Sequence, residues 1–174
     1  MNGVLARVAA SDDRFATRMR GFCPPRWFRL FMLWATRLGD GWGWIALLAV
    51  LVFGAHAYRE VLTGTLATTL AGAAFVWLKR HFKRRRPGDG APHPLYGVRA
   101  SDCFSFPSGH SATSFAIATV LALAFPGIGG LFLALAGCVA VSRVALGLHY
   151  LSDVVAGSAL GVLIGLLSYA ALLG

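Results

Sequence analysis

The sequence predicts an all-α fold, a polytopic membrane bundle of about five transmembrane helices preceded by N-terminal interfacial helices. Of 174 residues, 57% are hydrophobic and 13% are charged, whereas soluble proteins average roughly 45 to 50% apolar and about 25% charged residues. Four segments contain no Asp, Glu, Lys or Arg, namely residues 41–58, 61–78, 103–142 and 154–174. This composition excludes a soluble globule and a disordered chain, and three scattered cysteines exclude a disulfide-stapled mini-domain.

The net charge is +9, from sixteen Lys and Arg against seven Asp and Glu. Such a balance can serve nucleic-acid binding, but the sequence contains no soluble basic patch and no recognised binding module. The cations instead cluster at the ends of apolar runs, where they meet lipid headgroups. The predicted partner is therefore the membrane, and no nucleic acid is expected.

We interpret the chain as one domain, residues 1–174, with an interfacial region over residues 1–40 and a transmembrane core over residues 41–174. Apolar residues recur near helical period in residues 1–22, which is typical of a helix on the membrane surface. A disordered basic tail is the alternative. Residues 27–38 are apolar but contain two arginines, and they are shorter than the roughly 20 residues that a span requires. They are predicted to be interfacial, and a crossing there stays open.

Spans one and two are predicted at residues 42–58 and 61–78, on either side of a short charged turn. A polar loop follows over residues 83–102, in which three prolines prevent a regular helix. The forty charge-free residues 103–142 are too long for one crossing. Residues 125–130, rich in Gly and Pro, divide them into spans three and four.

The last span opens at Asp153 and runs to the C-terminus. Three small residues recur at every fourth position and favour close helix contact: Gly157, Gly161 and Gly165. Packing within the monomer is the preferred interpretation of this stripe, and a homodimer through it is the alternative.

Polar groups lie at the ends of the predicted spans, and the topology tests whether they can meet. Following the chain across the membrane places all of them on the same face. That result is independent of the groups themselves, because the spans were assigned from apolar runs alone. The groups are Lys79 with Arg86, Ser108 with Gly109 and His110, Arg143, and His149 with Asp153.

Three of these groups are cations. Lys79 and Arg86 are seven residues apart, about two helical turns, so they share a face if the helix continues to Pro87. A basic cluster that only snorkels to the headgroups and orients the chain is the alternative. Arg143 reaches the same membrane face from another span, which favours a common anion site.

The sequence Pro107-Ser108-Gly109-His110 is typical of a loop that enters a helix. The first backbone N–H groups of a helix lack helical partners and bind phosphate well. Ser108 adds a hydroxyl, Gly109 lets a ligand approach the backbone, and His110 can hold a proton near neutral pH. A Ser-capped helix with an interfacial histidine explains the tetrapeptide equally well.

His149 and Asp153 are four residues apart and face the same way if the helix begins at His149. A carboxylate beside one ring nitrogen fixes the tautomer and leaves the other nitrogen as nucleophile or base. A local pair that caps the helix is the alternative. A metal site is not expected, because no third ligand is placed convincingly and the nearby cations would repel a divalent ion.

These residues resemble the signature of the type 2 phosphatidic acid phosphatase family, which shares its site with bacterial acid phosphatases and vanadium haloperoxidases. The turn Gly39-Asp40-Gly41 also looks like that of small bacterial members. The match spans about 75 residues: Lys79, six residues and Arg86-Pro87, then Pro107-Ser108-Gly109-His110, then Ser142-Arg143, five residues, His149, three residues and Asp153.

The resemblance implies a metal-independent phosphatase without a cofactor. It implies that His149 attacks phosphorus and forms a phosphohistidine, that Asp153 orients it, and that His110 protonates the leaving alkoxide and later activates water. It also implies a set of groups that bind the phosphoryl oxygens: Lys79, Arg86, Ser108, Arg143 and the backbone of Gly109.

Our first hypothesis is an integral membrane lipid phosphate phosphatase. Its candidate substrates are phosphatidic acid, phosphatidylglycerophosphate, a polyprenyl phosphate or diphosphate, and phosphorylated lipid A. The alternative is a non-catalytic membrane protein that binds or transports anions or lipid phosphates, but binding alone does not need a paired nucleophile and acid. A haloperoxidase is disfavoured by the small size and the bilayer-embedded architecture.

The predicted location is the bacterial cytoplasmic (inner) membrane. With residues 27–38 at the interface, fifteen of the sixteen cations, all but Arg59, lie on the active-site face. The positive-inside rule then makes that face cytoplasmic. Members of the family more often act on the outer side, so the two arguments conflict, and a crossing at residues 27–38 would remove the conflict.

Overall fold

The computed structural model describes residues 3–91, 97–98 and 102–174. This part of the chain contains α-helices and no strand, so the all-α prediction is confirmed. A short 3-10 helix, Pro87–Gly90, follows the fourth α-helix. The α-helices are α1 (Gly3–Gly21), α2 (Arg26–Leu38), α3 (Trp42–Ala55), α4 (Tyr58–Phe82), α5 (Gly109–Ala124), α6 (Gly129–Ala145) and α7 (Leu151–Leu172).

Helices α3 to α7 correspond in number and order to the five predicted spans. Among the described residues, two helices, α4 and α7, are each long and apolar enough to cross a membrane. Helices α2 and α3 pass the same test only together, as a pair bent by 62° at the turn between them. Helices α5 and α6 are shorter apolar helices. The protein is therefore an integral membrane protein, and the count of five spans stays a prediction.

Helix α5 is the centre of the bundle and packs against α4, α6 and α7. The predicted stripe of glycines on α7 is what allows the closest of these contacts. A Cβ atom on Gly161 would overlap the carbonyl oxygen of Ala112, and one on Gly165 would lie 2.7 Å from the carbonyl oxygen of Ala116. Helix α5 thus covers the stripe within the monomer, and a homodimer through it is not supported.

The N-terminal helices α1 and α2 lie at the end of the bundle where the α4–α5 and α6–α7 connections emerge. Met32 of α2 packs against Leu146 and Leu148, which follow α6. Asp12 of α1 is buried and accepts hydrogen bonds from Arg84 and from the backbone of Ser152. The helices expected in residues 1–40 are present, and they cover the end that carries the polar groups.

The connection from α4 to α5 differs from the prediction at its start. Helix α4 ends at Phe82, because Lys83 adopts a left-handed conformation with φ of 47°. Arg86 is extended rather than helical, so the expectation that Lys79 and Arg86 share a helical face is wrong. Within the predicted loop, residues 92–96 and 99–101, with two of its three prolines, lie outside the described residues.

Candidate active site

A cavity of about 270 Å³ opens at the end of the bundle where the predicted polar groups converge. Side chains reach it from the turn between α2 and α3, from α4, from the α4–α5 connection, from α5, from α6 and from the connection before α7. The residues that line it include Asp40, Lys79, Arg86, Asp102, Gly109, His110, Arg143 and His149. Ser108 and Asp153, both predicted as site residues, are buried behind this lining.

Lys79 and Arg86 lie side by side although they do not share a helical face. Lys79 is in the last turn of α4, and its Nζ lies 5.4 Å from the centroid of the Phe75 ring. Arg86 follows the left-handed turn at Lys83 and donates to the backbone oxygens of Asp102 and Leu148. These carbonyl contacts hold the guanidinium in the cavity wall. The loop therefore brings Arg86 beside Lys79, as a helix continuing to Pro87 was expected to do.

The sequence-based prediction missed Asp102, which binds both of these cations. Its carboxylate accepts a hydrogen bond of 2.6 Å from Lys79 Nζ and one of 2.7 Å from Arg86 Nη2. Partial burial raises the pKa of Asp102, but these two partners outweigh it and hold the pKa below its ordinary value. The sequence feature that could have identified Asp102 as a site residue is its position: it is an acid at the edge of a long charge-free segment, five residues before Pro107.

Arg143, in the last turn of α6, is the third cation and is buried. It donates from Nη1 to the hydroxyl of Thr36 on α2. Its Nε has no hydrogen-bond partner among the described residues. Leaving a buried N–H unpaired costs about 1 to 3 kcal/mol, so this donor is suited to an anion that enters the cavity.

The segment Ser108-Gly109 forms the N-terminus of α5. The Ser108 hydroxyl caps the helix by accepting hydrogen bonds from the backbone N–H and the hydroxyl of Ser111. Gly109 lines the cavity, and a Cβ there would meet the Phe75 ring at 2.9 Å. Of the two, Gly109 is placed to approach a phosphate, whereas Ser108 fits the capping interpretation.

His110 contacts a second carboxylate that carries no predicted role. Its Nε2 lies 2.8 Å from Oδ1 of Asp40, in the turn between α2 and α3. This approach depends on Gly39, since a Cβ there would lie 2.7 Å from the His110 ring. The carboxylate fixes the orientation of the imidazole ring at the cavity, as a proton donor requires.

His149 lies in the connection before α7, because that helix begins only at Leu151. The expected helical relation between His149 and Asp153 is therefore absent, yet Nδ1 is 3.6 Å from Asp153 Oδ2. His149 Nε2 lies 3.1 Å from Arg86 Nη1. Since a guanidinium only donates, Nε2 accepts and Nδ1 carries the proton, on the side of the carboxylate.

The surroundings of His149 favour the neutral imidazole. Burial lowers the pKa of His149 well below the ordinary value, and the positive charges of Arg143, Arg86 and Lys79 lower it further. A neutral ring retains a lone pair on the nitrogen that faces the cavity, which a nucleophile requires.

Asp153 is completely buried and has partners besides His149. One oxygen accepts a hydrogen bond of 2.7 Å from Arg84 Nη1, and the other accepts from the backbone N–H of Tyr150 at 3.0 Å. Arg84 also donates to Asp12 at 2.8 Å. The carboxylate therefore caps α7, and it also faces His149.

The sequence and the fold are similar to those of known phosphatases. Residues 60–173 match the PAP2 superfamily. The chain is 35% identical over 127 residues to decaprenylphosphoryl-5-phosphoribose phosphatase of Mycobacterium tuberculosis, covering 72% of this chain and 68% of that protein. It is 37% identical over 121 residues to lipid A 1-phosphatase of Rhizobium johnstonii, covering 66% and 46%. The crystal structure of a transmembrane PAP2 type phosphatidylglycerolphosphate phosphatase from Bacillus subtilis superposes with a TM-score of 0.74 at 27% identity, covering 98% and 86%.

Proposed function

The chain belongs to the PAP2 superfamily, and on that basis we propose that it is a lipid phosphate phosphatase that works through a phosphohistidine. The observation that carries the proposal is the single cavity in which two histidines and three cations meet. These groups come from segments far apart in sequence. Local roles such as snorkelling or helix capping therefore do not explain why they meet in one cavity.

In this proposal His149 is the nucleophile. The Nε2 lone pair attacks phosphorus while the proton on Nδ1 stays on the side of Asp153, which stabilises the imidazolium character that develops. Arg86 donates to this nitrogen at 3.1 Å and must transfer its hydrogen bond to a phosphoryl oxygen before attack.

His110 is the proposed acid. It would protonate the oxygen of the leaving lipid alcohol and then remove a proton from the water that hydrolyses the phosphohistidine. Asp40 is placed to hold the ring and to favour its protonated form.

Lys79, Arg86 and Arg143 are the proposed phosphoryl-oxygen ligands, with the Gly109 backbone N–H at the start of α5. Fixed donors around a phosphoryl group stabilise the charge of the transition state without reorganising. Because these cations can balance a phosphate dianion, we expect activity that survives a chelator.

An apolar groove next to the active site supports a lipid substrate. Its volume is about 280 Å³, and it shares Gly39 and Thr113 with the polar cavity. Trp44, Ile45 and Leu48 of α3 line it further. A phosphate in the cavity would thus have its hydrocarbon chain beside α3 and α4, as a substrate that stays in the bilayer requires.

Phosphate release by the purified protein in detergent, with EDTA present, tests the proposal. The substrates are phosphatidic acid, phosphatidylglycerophosphate, a polyprenyl diphosphate and phosphorylated lipid A. We expect release from at least one of them, and loss of release in His149→Ala. His81→Ala is the matched control, because His81 is exposed on α4 and stacks on Trp77 away from the cavity.

Failure of all four substrates in the wild type would favour the non-catalytic binding protein. Activity that persists in His149→Ala would refute the phosphohistidine mechanism while leaving a phosphatase. Phosphohistidine is hydrolysed in acid and is stable in base. A rapid quench in base should therefore recover the phosphorylated protein from the wild type and not from His149→Ala.

The bacterial inner membrane is the proposed location, and the charge distribution favours a cytoplasmic active site. Two exposed cysteines allow a direct test: Cys23 follows α1, and Cys103 follows Asp102 at the cavity. In a Cys138→Ser background, a membrane-impermeant maleimide should label them in inverted vesicles and not in intact cells. Labelling of Cys103 in intact cells would place the site outside, whereas labelling of Cys23 alone would indicate that residues 27–38 cross the membrane.

A further inference from the structure

The Asp102 carboxylate occupies the two cations that the proposed function assigns to the substrate phosphate. One of its oxygens is 2.6 Å from Lys79 Nζ and the other is 2.7 Å from Arg86 Nη2. Two oxygens of a phosphoryl group bind a neighbouring lysine and arginine with the same distances and the same charge-assisted hydrogen bonds. A phosphate therefore competes with this carboxylate for both cations.

The backbone and the carboxylate of Asp102 are held by different contacts. Arg86 Nε binds the backbone oxygen of Asp102 at 2.9 Å, so the residue stays attached to the cavity wall whichever way its side chain turns. The side chain is 42% exposed, whereas those of Lys79 and Arg86 are 9% and 4% exposed. The carboxylate also accepts a hydrogen bond of 3.2 Å from the backbone N–H of Phe104. When the side chain turns into water, hydration replaces this bond, and the cations stay in place.

An entering dianion has a first ligand that Asp102 does not occupy. Arg143 lines the same cavity, and its buried Nε lacks a partner among the described residues. A phosphate can bind there and then replace the singly charged carboxylate on the other two cations. Because the attraction grows with the charge of the anion, this exchange favours a phosphate dianion over the carboxylate.

We propose that Asp102 is an internal competitor for the phosphate site, displaced from Lys79 and Arg86 by the substrate and returning to them as phosphate leaves. The inference rests on the proposed function for the identity of the ligand. Its consequence is a weaker affinity for phosphate and a faster exit of the inorganic phosphate product, which would otherwise stay bound to three cations.

A bracing role is the rival explanation for the same two ion pairs, and it makes the opposite prediction. If Asp102 chiefly holds Lys79 and Arg86 in position, its removal disorders them and weakens the binding of every anion. If Asp102 competes with phosphate, its removal tightens that binding. The sign of the change in affinity decides between them.

The experiment compares inorganic phosphate and orthovanadate as ligands of the wild type and of Asp102→Asn in detergent. Asparagine keeps the size of the side chain and removes its charge. We expect the dissociation constants of both anions to fall by about fivefold, the size of a favourable half-exposed ion pair. Glu60→Gln is the matched control, since it also removes one negative charge. Glu60 is in the first turn of α4, roughly 28 Å from Lys79 at 1.5 Å per residue.

Binding is measured by the shift in thermal unfolding with anion concentration, so the result does not depend on turnover. Unchanged or weaker binding in Asp102→Asn, with an unfolding temperature close to that of the wild type, overturns the inference. If that variant unfolds early, Asp102→Ala and Asp102→Ser provide the same comparison. A wild type that binds phosphate but hydrolyses no lipid phosphate would refute the proposed function and leave this test intact.

Discussion

The ring of His110 is held by Asp40, whose Oδ1 lies 2.8 Å from His110 Nε2. The two residues are 70 positions apart in the chain, and the contact exists because the turn after α2 approaches the N-terminus of α5. Arg143 receives a partner from the same segment, the Thr36 hydroxyl. Helix α2 and its turn therefore support the acid and one cation of the site.

Asp40→Asn should slow the reaction more when the leaving group is an alkoxide than when it is a phosphate. An alkoxide must be protonated as it leaves, so we expect kcat/KM for a lipid monophosphate, which reports the steps up to departure of the leaving group, to fall by about 10- to 100-fold. A phosphate leaving group needs no such help, and kcat/KM for the first hydrolysis of the matching lipid diphosphate should fall much less. Steady-state kinetics on a geranylgeranyl phosphate and diphosphate pair measure the difference.

His110→Ala is the reference for this prediction, because it removes the acid itself and should show the same pattern more strongly. Equal losses of kcat/KM on the monophosphate and the diphosphate in Asp40→Asn would mean that Asp40 does not assist the acid and only maintains the fold of the turn.

The acid limb of the pH profile should lie below the ordinary range of a histidine. Burial, together with the charges of Arg143 and Arg86, lowers the pKa of His149. The neutral imidazole attacks, so activity is present above this pKa and is lost as the pH falls through it. We therefore expect the midpoint of the acid limb of kcat/KM to lie below pH 6.5, the ordinary value for a histidine.

Two substitutions of Arg143 separate its charge from its geometry. Arg143→Gln removes a charge that lowers the pKa of His149, so the acid limb should move to higher pH. Arg143→Lys keeps the charge but loses the planar fork of donors, so the rate should fall while the limb stays. The substrate titrates identically in both assays, and coincident acid limbs for the two variants would contradict the electrostatic explanation.

Much of the site could be predicted because its motif residues stand at the ends of apolar runs. The runs fix which ends share a membrane face, and Lys79, Arg86, His110, Arg143 and His149 all stand at or near ends that share one. The helical bundle follows from the same runs, since an apolar segment must satisfy its backbone internally as a helix in lipid.

The supporting carboxylates could not be predicted by the same reasoning. Asp40 and Asp102 are single acids in connections, without periodicity, and each gains its role from a partner 70 or 23 residues away. The shared helical face of Lys79 and Arg86 was wrongly predicted because one left-handed residue, Lys83, ends α4 early. Local sequence spacing does not encode such a turn.

The contact between α1 and the active site should contribute to stability through Arg84. This residue bridges Asp12 and Asp153 at 2.8 Å and 2.7 Å. A double-mutant cycle with Asp12→Asn and Arg84→Gln should give a coupling energy of about 1 to 2 kcal/mol, below the value for a fully buried pair, because the Arg84 side chain is 26% exposed. Denaturation in mixed micelles measures it, and a coupling energy of zero would show that α1 is held by other contacts.

The packing of α7 against α5 should be intolerant of a single methyl group at Gly161. A Cβ there would overlap the Ala112 carbonyl oxygen and lie 2.9 Å from Cβ of Phe115. Because backbone atoms of a packed helix cannot move aside separately, Gly161→Ala should lower the free energy of unfolding by about 1 to 3 kcal/mol. Separation of the two helices would also displace His110 relative to His149, so kcat should fall.

Gly72→Ala is the matched control, since Gly72 is helical in α4 and nothing lies within 4 Å of a Cβ added there. Alanine is the better helix former, so this variant should be as stable as the wild type or more stable by up to about 1 kcal/mol. Both proteins should keep the oligomeric state of the wild type in light scattering. If Gly161→Ala instead dissociates a dimer without destabilising the protomer, the stripe is an intersubunit surface and its packing against α5 is secondary.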